Sequence, residues 1–472
     1  MSVLFPNDET IVAISTPPGQ GGIGIVRLSG PASISIADQL FKPAHGRRVS
    51  DLESHTLTYG QIIDPDNRQL IDQSLIGLMR TPRSYTMEDT VEFNCHGGQS
   101  VLRQVVELTI RYGAKVAEPG EFTKRAFLNG RLDLAQAEAV ADLINAKTEL
   151  SRQAAANQLV GRLSEQIYEL NDQIADLLAE VEATVDFPDE ELDLLDRGTI
   201  NHKASLISDT IKQILQTSNN GRLLREGLKI AILGKPNVGK SSLLNELLAI
   251  DRAIVTEIPG TTRDTIEETW QLKGLPIQLV DTAGIRQTND LVEKIGIEKS
   301  TSLLQAANLI LLVIDASRPL DENDQYLLKL VEPKQTLFVL NKIDLPIETS
   351  AEELSDRFSD GKTNTSPTSP IIVKTSILDS IGIKELEEQI LAIVMETDLS
   401  QSVLVTNVRH QEALQNAQNS VSQAIDSIQA DMAAEFIALD LRGALDSLGD
   451  IVGHTTSDDI LGRIFSQFCI GK

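Results

Sequence analysis

The stretch that most limits what this chain can fold into is Leu228 to Ser242, L-K-I-A-I-L-G-K-P-N-V-G-K-S-S. The apolar run Leu228 to Leu233 has the length and composition of a buried strand. It leads into Gly234-Lys235-Pro236-Asn237-Val238-Gly239-Lys240-Ser241, which fits the pattern G-x-x-x-x-G-K-[ST]. Ser242 to Leu248 follows with the spacing of an amphipathic helix. Strand, loop and helix in that order are what a phosphate-binding loop needs. The glycines let backbone N–H groups converge on phosphate oxygens, and the helix start adds its positive end. Lys240 then reaches the β- and γ-phosphates and Ser241 offers a hydroxyl to Mg²⁺, with Asn237, Val238, Gly239 and Ser242 lining the same loop. A chance glycine-rich turn has the same local pattern, so the loop alone does not decide.

Three later signals do. Asp281-Thr282-Ala283-Gly284 follows the strand-like Ile277 to Val280, where a carboxylate holds Mg²⁺ through water and a glycine N–H meets the γ-phosphate. Asn341-Lys342-Ile343-Asp344 follows the apolar run Thr336 to Leu340. There Asp344 can accept two hydrogen bonds from guanine that adenine cannot offer, and a site built for them rejects the base that lacks them. Between the two lies Gly260-Thr261-Thr262-Arg263-Asp264, which can bring Thr262 to Mg²⁺. Four signals in this order imply a domain that binds and hydrolyses GTP. Ras-like enzymes carry a glutamine directly after D-x-x-G to orient the attacking water. Here that position is Ile285, so the catalytic apparatus is expected to differ.

At 472 residues the chain is expected to hold about three domains. A net charge of −26 argues against a broad, non-specific nucleic-acid surface, because phosphate contacts need clustered Lys and Arg. A local basic patch remains compatible with it. Two distant cysteines, Cys95 and Cys469, have neither disulfide-scaffold nor metal-ligand spacing, which fits a reducing cytoplasmic setting. No basic leader and no apolar stretch of membrane-spanning length occurs, so no membrane is expected.

Residues 1–121 mix strand-like runs (Thr10 to Ser15, Ile23 to Ser29, Thr90 to Cys95) with a helical stretch, Val101 to Tyr112. The glycine cluster at 17–22 reads as a hairpin turn, since a strand follows it. The first domain is expected to be α+β. From Phe122 helical spacing runs to Phe187-Pro188-Asp189, and a second helix, Ile200 to Leu215, is expected to stop at Asn219-Asn220-Gly221. The GTPase domain is expected over 223–396, with strands at 228–233, 277–280, 308–314, 336–340 and 370–374 alternating with helices in a doubly wound sheet. Ser350 to Pro370, rich in Ser, Thr, Pro and Asp, reads as a mobile surface insertion. Helical spacing resumes over 397–472, and a last helix is expected to be capped at Thr456-Ser457-Asp458-Asp459. The fold class expected is multidomain α/β: an N-terminal α+β domain, then a helical domain (122–222 and 397–472) with a Ras-like P-loop GTPase inserted in it. Two separate helical domains are the alternative.

Beyond the GTPase signals the chain resembles the MnmE (TrmE) family of tRNA modification GTPases over nearly its full length. The resemblance rests on Glu9-Thr10-Ile11-Val12-Ala13 with Thr16-Pro17-Pro18-Gly19, on Pro119-Gly120-Glu121-Phe122-Thr123-Lys124-Arg125-Ala126-Phe127-Leu128-Asn129, on Leu132-Asp133-Leu134-Ala135-Gln136-Ala137-Glu138, and most distinctively on Cys469-Ile470-Gly471-Lys472. It implies a cytoplasmic homodimer built through N-terminal domains that bind a tetrahydrofolate derivative, in the 5-formyl or methylene form. It also implies an FAD-dependent partner, MnmG (GidA), in a heterotetramer. Together they would add an aminomethyl or carboxymethylaminomethyl group to carbon 5 of the wobble uridine of certain tRNAs. A ribosome-assembly GTPase switch without modification chemistry is the competing function, and the lack of a basic C-terminal segment counts against it.

Position by position, the resemblance implies folate contacts at Arg27, Glu92 and Arg131, with Lys472 nearby; the family typically has lysine where Arg131 stands. A pterin offers an amide-and-amine edge to a carboxylate, and its glutamate tail suits cations. Read alone, Arg27 and Arg131 fit surface arginines and Glu92 half of a structural ion pair. Cys469 is either a one-carbon site residue or a small buried hydrophobe, with a site-lining, non-catalytic role favoured. The resemblance also implies K⁺ in place of an arginine finger, held by Asn237 and the loop Thr256 to Thr261, with Ile258 contributing its carbonyl. Glu293 would position the water, alongside Lys240 and Thr262 as the other catalytic residues. In the guanine loop the usual Ser-Ala-Lys is replaced by Ser376-Ile377-Leu378, where a backbone contact to the guanine oxygen survives an isoleucine.

Overall fold

The computed structural model describes residues 9–186, 197–250, 269–279, 307–331, 334–359, 370–394 and 405–472. These divide into two units, each with its own sheet. One is formed by the described parts of Met1–Ala141, Gln158–Ile207 and Asn419–Lys472, the other by those of Asp142–Asn157 and Ser208–Gln418.

The first unit begins β1 (Ile11–Ile14), β2 (Gly21–Ser29), α1 (Ser33–Leu40), β3 (Phe41–Pro43), β4 (Thr56–Ile63), β5 (Leu70–Met79), β6 (Thr90–Gly97), α2 (Gln99–Arg111) and β7 (Lys115–Val116). Its seven strands are ordered β3-β4-β5-β6-β2-β1-β7. Side chains alternate faces along a strand. Val26 and Leu28 of β2, with Val91, Phe93 and Cys95 of β6, therefore enter the core beneath α1 and α2, together with Ile36, Leu102 and Val105. Arg27 and Glu92 lie on the opposite face, and the antiparallel register pairs them directly. The glycine cluster is the turn between β1 and β2, as its sequence implies. Strands β3, β4 and β5 lack a clear period-two pattern and were not foreseen.

The helical stretch after Phe122 is not continuous. It breaks into α3 (Glu121–Leu128), α4 (Leu134–Asn145), α5 (Glu149–Val160) and α6 (Arg162–Asp186), with Gly130 and Gly161 at positive φ marking two of the joints. Helix α7 (Arg197–Gln216) does not end the helical run at Asn219-Asn220-Gly221. Those residues lie inside α8 (Ser218–Glu226), where burial of Leu224 outweighs their turn-forming tendency, and Gly227 at φ 81 provides the stop. Phe187, Pro188 and Asp189 are outside the described residues.

The second unit carries β8 (Leu228–Leu233), α9 (Lys240–Ile250), β9 (Thr269–Leu272), β10 (Leu275–Leu279), β11 (Leu309–Asp315), α10 (Glu322–Val331), β12 (Thr336–Asn341), α11 (Ala351–Ser359), β13 (Ile371–Thr375) and α12 (Ile383–Val394). Its sheet runs β13-β12-β11-β8-β10-β9, parallel except for the antiparallel edge strand β9, which the sequence reading missed. Leu243 and Leu247 of α9 with Leu386 and Ile390 of α12 cover one face. Leu328 of α10 with Leu354 and Phe358 of α11 cover the other, against Ile310, Leu312 and Phe338. Helices on both faces of a parallel sheet make it doubly wound.

The insertion read at Ser350 to Pro370 needs correction. Its first half is helix α11, started by the Ser350 hydroxyl accepting the Glu353 N–H and held by Leu354 and Phe358 four residues apart. Residues 360–369 are outside the described set.

Helices α13 (Val408–Gln429), α14 (Ala434–Val452) and α15 (Asp458–Ser466) complete the chain. Ser457 takes the N-cap position of α15 with extended backbone, but no side-chain capping bond forms there. Leu461, Phe465 and Phe468 pack on Leu134 and Ala137, which fixes the direction of the C-terminal tail within the first unit.

Candidate functional site

Strand β8 is central in its sheet, and the loop that leaves it folds as its glycines require. Gly234 (φ 146) and Gly239 (φ 107) occupy left-handed backbone, and a Cβ on either would lie 2.3 Å from Val313 O or Asn341 Nδ2, respectively. Asn237 stands at the tip at φ 64, a conformation that asparagine tolerates. The backbone N–H groups of Lys235, Asn237, Val238 and Gly239 have no partner among the described residues. That cradle of unspent donors fits phosphate oxygens. Lys240 is largely buried, and burial holds its pKa below the usual lysine range. Its Nζ donates to Gly234 O at 2.8 Å and Lys235 O at 2.5 Å, poised at the loop it would serve. Ser241 and Ser242 are exposed in the first turn of α9.

Asn341, at the end of β12, ties the loops together. Its Nδ2 donates to Val238 O at 2.8 Å, and its Oδ1 accepts from Thr375 Oγ1 at 3.2 Å and from the Ile377 N–H at 3.3 Å. Lys342 donates to Asp315 at 2.7 Å. Burial pushes the Asp315 carboxyl up, but bonds from Lys342 and Ser317 outweigh it and hold the pKa below the usual range. Asp344 is exposed and takes no hydrogen bond from the described residues, so both its oxygens are open to a base. Ser376 is buried and bridged to Ile381, Ile377 is nearly buried, and Leu378 is 89% exposed. The structure thus brings Asn237 to Ser242, Asn341, Lys342, Asp344, Ser376 and Ile377 to the C-terminal ends of the parallel strands. Thr256, Ile258, Thr261, Thr262, Asp281, Thr282, Ala283, Gly284 and Glu293, with Arg263, Ile285 and Arg286, lie outside the described residues.

One further anchor escaped the sequence. Lys235 Nζ donates to Asp324 Oδ2 at 2.6 Å and Asp321 Oδ2 at 2.9 Å, the two carboxylates that also cap each other's N–H at the start of α10. Burial acts to lower the Lys235 pKa, but these two bonds outweigh it and raise it. Nothing in the loop pattern signals a partner some ninety residues away.

In the first unit a second constellation forms. Arg27 Nε donates to Glu92 Oε1 at 2.7 Å, both side chains being largely but not fully buried, and Arg27 Nη1 approaches Gly471 O at 3.4 Å. The guanidinium lies 5.7 Å from the Phe122 ring centroid and 6.0 Å from that of Tyr85. Arg131 stacks on the same Tyr85 ring at 4.8 Å and donates to Tyr85 O at 2.8 Å. Tyr85 is held by a 2.9 Å hydroxyl contact with Thr123, and burial raises its pKa against the lowering influence of Thr123, Arg131 and Arg27. Gly471 adopts φ 94, and a Cβ there would lie 2.5 Å from Ile14 O, so only glycine lets the tail lie against β1. Ser15 Oγ and the Pro119 to Ile470 bridge complete the seat. Arg27 thus pairs with Glu92 and shares the Tyr85 ring with Arg131, and half-buried Lys472 ends the docked tail.

The two cysteines differ. Cys469 is exposed, which removes its reading as a buried hydrophobe. Cys95 is buried, and burial with help from Asp72 pushes its thiol up to about 12. Tyr85 and Phe122 were missed as site residues; the Glu121-Phe122-Thr123-Lys124-Arg125 run was the available signal. Its Arg125, 2% exposed, pairs with Glu88 and Glu121 and so braces the loop that carries Tyr85.

A parallel doubly wound sheet with this glycine loop and guanine loop defines a P-loop GTPase inserted between helical segments. Residues 10–131 match the family model described as GTP-binding protein TrmE N-terminus, and residues 134–469 match the MnmE helical domain. Proteins named tRNA modification GTPase MnmE from Thermoanaerobacter pseudethanolicus, Clostridioides difficile and Lactiplantibacillus plantarum are similar throughout. They are 48%, 45% and 44% identical over 466, 467 and 470 residues, covering 98% of this chain in each case and 99%, 99% and 98% of theirs. The chain belongs to the MnmE family. It is an enzyme, a GTPase. No helix among the described residues is long and apolar enough to cross a membrane.

Proposed function

We propose that this chain is the GTP-hydrolysing component of a complex that modifies carbon 5 of the wobble uridine of certain tRNAs. In this reading it acts in the cytoplasm as a homodimer, joined to an FAD-dependent partner of the MnmG (GidA) kind in a heterotetramer. The observation that carries the reading is the Arg27–Glu92 pair seated on the docked C-terminal tail, in the same chain as a phosphate-type loop that Asn341 ties to the N-K-x-D loop. The proposed division is 1–121 for folate binding and dimerisation, 122–222 and 397–472 for the helical domain, and 223–396 for GTP.

Glu92 offers acceptors to the amide-and-amine edge of a pterin, while Arg27 and Arg131 offer cations, with Lys472 close by. A tetrahydrofolate derivative, in the 5-formyl or methylene form, supplies a one-carbon unit when bound. Exposed Cys469 lines this site without a catalytic role. In the second unit the cradle N–H groups and Lys240 bind the phosphates, and Asp344 selects guanine. Ser241 and Thr262 would hold Mg²⁺; Asn237, Thr256, Ile258 and Thr261 would hold K⁺. Both ions neutralise charge on the transferring phosphoryl group when bound. Glu293 orients the attacking water in place of the missing glutamine.

Mass spectrometry of wobble uridines from a strain lacking this gene tests the assignment, the expected result being loss of the carbon 5 modification. Intact modification would overturn it. Single-turnover hydrolysis in KCl and NaCl tests the ion, with faster turnover expected in KCl. Arg263 and Arg286, which follow the two switch signals in sequence, are the rival sources of a fixed positive charge near the γ-phosphate. Equal rates that collapse in Arg263→Ala or Arg286→Ala would assign the charge to an arginine instead.

A further inference from the structure

Beside Arg131 the first unit carries a shallow, open hollow of about 570 Å³. Its lining includes Arg83, Arg131 and His55 together with Met79, Met87 and Tyr85, and none of its eight lining residues is acidic. In a chain of net charge −26 an acid-free basic hollow is out of character with the surface as a whole. Arg83 is exposed and has no carboxylate partner among the described residues, whereas many other arginines here are paired. Nor is the wall a floppy loop. Ser84 donates to Glu88 O at 2.5 Å, Thr81 Oγ1 to Met87 O at 2.7 Å, and Asn129 Nδ2 to Thr86 O at 2.7 Å. A guanidinium held open beside a second one is suited to carboxylates, and the methionine side chains are suited to the methylene pairs between them.

Position then narrows the ligand. Tyr85 is shared: Arg131 lies on its ring at 4.8 Å and Arg27 at 6.0 Å, so the hollow begins where the Arg27–Glu92 pair ends. We infer that the hollow lined by Arg83, Arg131 and His55 is a subsite for the γ-linked glutamate tail of a polyglutamylated folate. The inference rests on the proposed folate reading and extends it from the pterin end to the other end of the molecule. Arg83 selects chain length, and Arg131 marks the point where the first glutamate turns from the ring system into the hollow.

Titration calorimetry on the full-length protein tests this with 5-formyltetrahydrofolate carrying one or five glutamates. The parent is expected to bind the pentaglutamate about five- to tenfold more tightly, a preference that fades with added salt. Arg83→Ala should lose that preference and still bind the monoglutamate as the parent does; Arg83→Lys should recover part of it. Unchanged monoglutamate binding also reports that the variant is folded. Equal affinity of the parent for both forms would overturn the subsite, as would a preference that survives Arg83→Ala. Binding of neither form would defeat the folate reading itself, and the subsite with it.

Discussion

The GTP site and the Arg27–Glu92 site are assembled in opposite ways. Most of the phosphate cradle is one contiguous run, 234–242, whose glycines determine the loop wherever the strand is buried. The second site has no local core. Its contacts join residues separated by 65, 444 and 456 positions along the chain, through a cross-strand pair and a tail that returns to β1. The contrast teaches where each site is vulnerable. The first fails when its own loop is altered, the second when distant backbone no longer meets.

The largest effect should come from the contiguous site. Lys240→Ala removes the cation whose Nζ sits on the cradle carbonyls, Lys235 being tied up by Asp321 and Asp324, and kcat/KM for GTP is expected to fall by about 10²–10³. Steady-state hydrolysis checks this; a loss below about threefold would mean Lys240 is not at the phosphates. Next, Asp344→Asn exchanges two acceptors for an amide and should shift preference from GTP toward xanthosine triphosphate by about 10²-fold. Competition binding reads the shift, and an unaltered order of preference would sink the role of Asp344.

The dispersed site yields a smaller and separable loss. Gly471→Ala forces a Cβ to within 2.5 Å of Ile14 O and should lift the tail, weakening binding of 5-formyltetrahydrofolate about tenfold with GTP hydrolysis unchanged. Arg27→Ala and Glu92→Ala should do the same; if all three variants bind folate like the parent, the ligand lies elsewhere. The smallest effect is chemical and sharpens the contrast between tail and core. At pH 8, iodoacetamide should label Cys469 and spare Cys95, because a thiol pushed up to about 12 is only about one part in ten thousand thiolate there. The sign follows from burial disfavouring the charged form, so Cys95 labelling should appear only as pH rises well above 9 or as the protein unfolds. Mass spectrometry of the alkylated peptides decides, and prompt labelling of Cys95 in folded protein would contradict its burial.

Much of the second unit was legible in the sequence because its elements carry strong local codes. Apolar runs of strand length followed by G-x-x-x-x-G-K-S and N-K-x-D name both the sheet and the face that binds. What was misread there had a code that composition obscured. Ser350 and Glu353 cap α11 within a Ser- and Asp-rich stretch, and the Asn-Asn-Gly of α8 was overridden by burial of Leu224. Strands β3 to β5 stayed hidden because one face of that sheet carries exposed Leu57, Tyr59 and Leu75, which blurs the alternation that marks a half-buried strand.

By itself, then, the sequence determined the class of nucleotide, the loop proposed to take its phosphates and the family. The loop rests on one contiguous run whose conformation follows from glycine freedom and strand burial, while the nucleotide class and the family rest on several short runs, each recognisable by itself. Only the tertiary structure decided that Arg27 pairs with Glu92, that Tyr85 is shared by two arginines, that Gly471 must be glycine and that Lys235 is anchored on Asp321 and Asp324. Those facts depend on strand register and on the path of the C-terminal tail. Register and path are set by packing over the whole unit, and no short window of residues contains that information.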